Sequence, residues 1–196
     1  MDKYNLIIVL GGPASGKGTL CESLMKNFNH LIHVSAGDLI RAQTNLNIEF
    51  QNLMKNGYIL PPEFVGNLIT SHIKKNISTD KTVLLDGFPR NKDNYDYFCD
   101  QMMKIFNLLG ILVIECDSNI MIERTINRNK CAGRIDDNID TCLKRIEQYN
   151  NETIKILNYF DNNLIKKISG KDNGYNEAIE FIISNEKITI PTAFSS

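Results

Sequence analysis

The strongest constraint on how this chain folds lies near its start, where the uninterrupted apolar run Leu6-Ile7-Ile8-Val9-Leu10 passes directly into Gly11-Gly12-Pro13-Ala14-Ser15-Gly16-Lys17-Gly18-Thr19. Leu20, Leu24 and Phe28 then recur at helical spacing. A strand with no polar face must be covered on both sides, as in a parallel sheet flanked by helices. The glycines of the connecting loop let successive backbone N–H groups turn inward around a phosphate. The start of the helix adds positive potential, and Lys17 brings a point charge to the outer phosphates. A glycine-rich turn without a ligand needs neither the lysine nor this length.

Downstream, short β-branched runs alternate with longer helical patterns, the signature of βαβ units and an α/β fold. The strands expected are Leu6 to Leu10, His33 to Ser35, Thr82 to Asp86, Ile111 to Cys116 and Ile165 to Ile168. Between Asp136 and Phe160, the apolar residues Ile139, Leu143, Ile146, Tyr149, Ile156, Leu157 and Phe160 are spaced for one buried stripe on a long amphipathic helix. Internal repeats, low-complexity linkers and a clean domain boundary are absent, and Ile188 to Ser196 reads as a loose tail.

Composition narrows the function classes. The chain has 196 residues, 42% of them hydrophobic, and a domain of this size buries roughly 70% of its extended-chain surface. Its 22 Lys+Arg against 23 Asp+Glu, a net charge of -1, argue against a wide nucleic-acid or anionic-membrane surface, which needs a basic face. The apolar runs are strand-sized, and Met1-Asp2-Lys3-Tyr4-Asn5 lacks a signal-peptide layout, so a cytoplasmic or nuclear protein is expected. Cys21, Cys99, Cys116, Cys131 and Cys142 form no C-x-x-C pair and read as core or surface thiols of a reducing compartment. His30, His33 and His72 have no metal-like spacing and read as surface or strand-edge residues.

Lys17 is followed by Gly18, and the hydroxyl arrives one place later at Thr19. G-G-P-x-x-G-K-G-T in this form resembles the nucleoside monophosphate kinase family, which includes the adenylate kinases and the UMP-CMP kinases. Three further segments resemble that family in order: Ser35-Ala36-Gly37-Asp38-Leu39-Ile40-Arg41, Asp86-Gly87-Phe88-Pro89-Arg90, and Gly133-Arg134-Ile135-Asp136-Asp137-Asn138 followed by Lys144-Arg145. The resemblance implies a P-loop NTPase three-layer fold, with a five-stranded parallel sheet between helices, a small helical NMP-binding insertion at about 35–65 and a short lid at about 128–138. Residues 1–187 then form a single kinase domain and 188–196 a C-terminal tail.

Phosphoryl transfer between two polyanions needs charge neutralisation, in-line positioning and exclusion of water, and arginine suits this because its planar fork grips phosphate while staying charged. By resemblance, Gly12 to Thr19, Arg128 and Lys171 contact ATP. Arg41 and Arg90 clamp the acceptor phosphate, and Arg134 and Arg145 bridge toward the transferring group. Lys17, Arg90, Arg128, Arg134 and Arg145 thus form the catalytic set. Ala36, Tyr58, Ile59, Leu60, Gly87, Phe88, Pro89 and Asn94 complete the acceptor site. Asp86 orients water on the Mg²⁺ that accompanies ATP, with Thr19 a second candidate near the metal; alternatively Asp86 caps a helix. Arg124 is either a further ATP-side contact or a helix-surface salt bridge. No general base is required, because the acceptor oxygen is already largely deprotonated.

Adenylate kinases usually have Thr where this chain has Ala36, and Gln where it has Asn94. F-P-R-N-x-D-N closely resembles the UMP-CMP kinases. The shorter carboxamide suits a pyrimidine edge, whereas Asn94 on a helix surface would carry no such meaning. ATP-dependent phosphorylation of CMP, UMP or dCMP by a monomer is therefore expected. The alternatives are an adenylate kinase with a divergent acceptor pocket and a binding module that has lost transfer. Two spacings depart from the family. Arg41 to Gly57-Tyr58-Ile59-Leu60-Pro61 is about one helical turn short, which trims the acceptor insertion, and Asp172-Asn173-Gly174 lengthens the turn after Ile168-Ser169-Gly170-Lys171 near the ATP base. Only Asn129 to Ile135 separate Arg128 from Asp136, so the lid is short and Cys131 is incidental to metal binding.

Overall fold

The computed structural model describes residues 3–43, 47–132, 138–171 and 174–186. Arg134, most of the lid segment, residues 172–173 and the tail at 188–196 lie outside the described residues, as does the side chain of Cys131. In chain order the elements are β1 (Tyr4–Gly11), α1 (Lys17–Asn27), β2 (Leu31–Ser35), α2 (Ala36–Arg41), α3 (Ile48–Lys55), α4 (Pro62–Asn76), β3 (Thr82–Asp86) and α5 (Lys92–Asp100). There follow β4 (Phe106–Glu115), α6 (Ser118–Ala132), α7 (Ile139–Gln148), a π turn (Tyr149–Thr153), α8 (Ile154–Ile156), β5 (Ile165–Ser169) and α9 (Gly174–Glu186).

All five strands are parallel, in the order β2-β3-β1-β4-β5. The period of two along a strand divides the apolar runs between two cores. Leu6, Ile8 and Leu10 join Val83, Leu85, Ile111 and Val113 on one face of the sheet. Ile7 and Val9 join Leu84, Leu112 and Ile114 on the other, against Leu24 of α1 and Ile182 of α9. Residues Leu6 to Val9 have no exposed surface at all, as the apolar run requires.

Three strands begin earlier than the sequence pattern suggests, β1 at Tyr4 in place of Leu6. β2 starts at Leu31, paired with Thr82. β4 starts at Phe106, because Gly110, which looks like an interruption, lies against the Phe181 ring and a register shift at Leu6/Ile7 absorbs the extra residue. The expected stripe on the late helix also needs correction. Ile146, Tyr149, Ile156 and Leu157 are buried, but Ile139 and Leu143 are about half exposed, at 51% and 49%. The first turns of α7 bury Thr141 and Cys142 instead, because this end of the helix packs on α6 and the α3 turn and not on the sheet.

The chain leaves β1 for the far edge, returns to β3 beside β1, and then crosses to β4 on its other side. The carboxyl ends of β1, β3 and β4 therefore frame a topological switch point, where open α/β sheets bind ligands.

Candidate active site

A cavity of about 890 Å³ opens at that switch point, within the size range of ligand sites. Its floor is the loop from Gly11 to Gly16. Ala14 (φ 53) and Gly16 (φ 103) both take the left-handed conformation, which turns the intervening N–H groups to one side and forms an anion-binding nest. Gly16 caps α1 without a side-chain hydrogen bond, and the first turn of α1 holds no acidic residue. The helix start thus presents its N–H groups and dipole to the cavity. Gly12 leaves room for α6: a Cβ there would come within 2.3 Å of Met121 Sδ.

Lys17 Nζ donates to the carbonyls of Gly11 (3.0 Å) and Gly12 (2.8 Å), which holds the ammonium over the loop. Burial lowers the Lys17 pKa; Asp86 opposes that shift, while Arg90 and Arg128 add to it. Asp86 closes β3 and is 8% exposed. Burial pushes its carboxyl up, but Lys17, the His33 imidazole and Arg90 outweigh this and hold the pKa below the usual value. His33 Nε2 lies 3.5 Å from Asp86 Oδ2. Asp86 does not cap α5; Asn91 does, its side chain accepting from Asn94 N.

After Asp86 the chain turns at Gly87 (φ 83) and passes through a cis Phe88–Pro89 peptide. Arg90 Nε donates to Gly87 O at 2.8 Å, and Arg90 N donates to Asn94 Oδ1 at 3.2 Å. Asn94 is 2% exposed, so the surface alternative fails. Its Oδ1 being engaged, the buried Nδ2 is the remaining polar atom of this side chain and has no hydrogen-bond partner. Asn94 lines the cavity, and Nδ2 is the donor this amide has left to offer.

Opposite stand α2 and the turn after α3. Ser35 caps α2 by accepting from Asp38 N, and Arg41 pairs with Asp38 at 2.6 Å. Ala36, Arg41, Tyr58, Ile59 and Leu60 line the cavity. Arg128 of α6 and Arg145 of α7 also line it. Arg124 donates to the carbonyls of Ser15 (3.4 Å) and Gly170 (3.3 Å), tying the phosphate loop to the β5 turn. Lys171 also lines the cavity and pairs with Asp117 at 2.8 Å.

Of the residues expected from the sequence, the loop from Gly12 to Thr19 and the acceptor-side residues meet in this one cavity, with Pro89 the exception: it is buried behind Phe88 and is not part of the lining. Arg134 lies outside the described residues. His33, Gln148, Tyr149 and Thr153 line the cavity without having been foreseen. For His33 the signal was its place two residues before the carboxyl end of β2. For the other three, nothing in the periodicity marks the π turn that carries Tyr149 and Thr153 and follows directly on Gln148.

The profile of the family described as Adenylate kinase matches residues 9–165. The chain is similar to a uridylate kinase of Saccharomyces cerevisiae, 40% identical over 146 residues, covering 71% of this chain and 70% of the relative. It is also similar to UMP-CMP kinase 2 of Caenorhabditis elegans (39% over 140 residues, 69% and 71%) and to the UMP-CMP kinase of Danio rerio (35% over 144 residues, 69% and 73%). The nest, Lys17, Asp86 and the arginines around one cavity agree with the matched span, and the chain belongs to the adenylate kinase family.

Proposed function

We propose that this protein transfers the γ-phosphoryl group of ATP to pyrimidine nucleoside monophosphates, CMP and UMP. The observation that carries this reading is one cavity in which a phosphate nest with Lys17 faces Arg90, Arg128 and Arg145 and a buried Asn94 amide. The similarity to uridylate and UMP-CMP kinases supports it.

In this reading the loop from Gly12 to Thr19 and Arg128 hold the ATP phosphates, with the Gly170-Lys171 turn near the base. Arg41 and Arg90 hold the acceptor phosphate, whose oxygen attacks the γ-phosphorus. An O–P bond forms, the bond from the γ-phosphorus to the β,γ-bridging oxygen breaks, and its electron pair leaves on ADP. Arg145, with Arg134, neutralises the charge carried by the oxygens of the transferring group. Asp86, held ionised, and the Thr19 hydroxyl suit Mg²⁺, a hard cation that keeps several waters. No group of three or more His, Cys, Asp or Glu that could hold a metal occurs among the described residues. Bound with the nucleotide, Mg²⁺ would supply positive charge that offsets the charge of the nucleotide phosphates.

Base choice follows from the Asn94 donor. Cytosine and uracil differ at N3 and C4 but share the O2 carbonyl, so a lone N–H donor suits both without telling them apart. Residues about 35–65 serve as the acceptor-binding insertion. Among the described residues, no helix is long and apolar enough to cross a membrane.

A coupled assay of ADP formation with ATP, Mg²⁺ and a panel of CMP, UMP, dCMP and AMP tests this reading. CMP and UMP should turn over at comparable kcat/KM. Turnover of AMP alone would overturn the specificity, and absence of transfer to every acceptor would overturn the activity.

A further inference from the structure

The helix from Ile139 onward does not run unbroken. At Tyr149–Thr153 it opens into a single π turn before closing again as α8 and a short 3₁₀ turn at Leu157–Tyr159. Single π turns are rare inside helices and concentrate at functional sites. This one touches both halves of the cavity within five residues. Tyr149 is buried, its hydroxyl pushed up to about 12 chiefly by that burial, and its ring lies 3.5 Å from where a Cβ on Gly12 would stand. Thr153, 7% exposed, donates its hydroxyl to the carbonyl of Arg90 at 2.7 Å.

That hydrogen bond matters because of what already holds Arg90. Gly87 and Asn94 secure it from within its own segment. Thr153 reaches the carbonyl of the same residue from 63 residues away, within the helical stretch that begins with α7 and carries Arg145. A loop that follows a tight turn is thereby fixed to a separate element packed against the phosphate loop. Misplacement of a catalytic group by about 1 Å is enough to cost substantial rate.

We propose that Thr153 is a positioning residue: the π turn braces the Arg90 peptide against the α7 rod, so that the Arg90 guanidinium keeps its alignment with the phosphate loop. The proposal rests on the kinase reading above and adds to it a residue that acts through the Arg90 backbone.

Thr153→Val preserves shape and removes the hydroxyl. The expected result with ATP and CMP is a fall of about tenfold in kcat/KM, equivalent to about 1.4 kcal/mol. KM for ATP should stay within about twofold, and Thr153→Ser should restore the rate. The decisive measurement is a double-mutant cycle. In an Arg90→Ala background, Thr153→Val should change kcat/KM by less than about twofold, because its effect passes through Arg90. An equal loss in both backgrounds, or wild-type rates in Thr153→Val, overturns the proposal while the kinase reading stands. A wild-type protein that transfers phosphate to none of the monophosphates overturns the kinase reading and this proposal with it.

Discussion

The turn that ends α3 supplies a sharp test of how the two sides of the cavity communicate. A helix leaves its last carbonyls without internal partners. Here Asn52, Leu53 and Met54 receive the N–H groups of Asn56, Tyr58 and Gly57, with Gly57 in the left-handed conformation (φ 80) that such a cap requires. The next carbonyl, that of Lys55, receives the Thr141 hydroxyl at 2.8 Å, and Thr141 belongs to the first turn of α7. The turn after α3 and the helix bearing Arg145 are thus joined by a hydrogen bond, with Lys144 Nζ 5.7 Å from the Tyr58 ring centroid beside it.

Thr141→Val keeps the volume of a side chain only 3% exposed and deletes the donor. A net protein hydrogen bond contributes about 1 kcal/mol, and leaving a fully buried carbonyl unsatisfied costs about 1–3 kcal/mol. Lys55 is an exposed residue, so water can take over part of the interaction and the lower figure applies. About 1–1.4 kcal/mol converts to a five- to tenfold rise in KM for CMP. Because the contact does not involve the phosphate nest, KM for ATP should barely move, and the melting temperature should fall by no more than about 2–4 °C. Steady-state kinetics with each substrate varied in turn, alongside a thermal melt, reads both. An unchanged KM for CMP would refute the inference that this contact holds the acceptor side in place. Equal rises in both KM values with a larger fall in melting temperature would show general loosening instead.

Other consequences are more direct. Lys17→Met should reduce kcat by about 10²-fold or more while leaving the fold intact by circular dichroism, since the lysine supplies charge to the transferring phosphates. Gly66→Ala places a Cβ 2.1 Å from the Tyr97 ring, and overpacking of this kind costs about 1–3 kcal/mol in denaturant unfolding. The Asp86 carboxyl has a folded-state pKa below its unfolded value, so its contribution to stability is fully present above the ordinary carboxylate pKa and is lost as pH falls through the lowered folded value. Asp86→Asn should therefore lower stability at neutral pH and flatten the acid limb of a stability-against-pH curve; an unchanged limb would contradict that coupling.

Where a local pattern determined the structure, the sequence was readable. β1 and the loop after it need only an apolar run and glycines at fixed offsets, and Ala14 and Gly16 form the nest those offsets imply. The arginines at 41, 90, 128 and 145 reach the cavity because each sits at or near the end of an element abutting the switch point. What could not be read depends on contacts between distant segments. Ile139 and Leu143 fit a helical stripe, yet their end of α7 is turned away from the sheet by docking on α3 and α6. Asn94 was recognisable as an amide beside the arginine turn, but its bond from Arg90 N, which engages Oδ1, depends on how that turn folds. Thr153 carried no sequence signal, since a π turn leaves the apolar spacing intact and acts through a carbonyl 63 residues away.

The same geometry explains why a chain with net charge -1 can serve polyanions. Burial weakens the Lys17 ammonium, and the nearby Arg90 and Arg128 weaken it further, while Asp86 sustains it. Removing Asp86 would therefore disturb the lysine as well as any metal-bound water. The fold accepts this crowding of like charge because the cations are tied to backbone carbonyls: Lys17 to Gly11 and Gly12, Arg90 to Gly87, Arg124 to Ser15 and Gly170. Those carbonyls partly neutralise the site while the bonds hold each cation beside the phosphate path. Phosphate oxygens arriving there meet charges whose positions are already set, so little reorganisation accompanies transfer. The acidic residues that bring the total near zero can then lie elsewhere on the surface without weakening the field inside the cavity, because solvent screens them over about 8–10 Å.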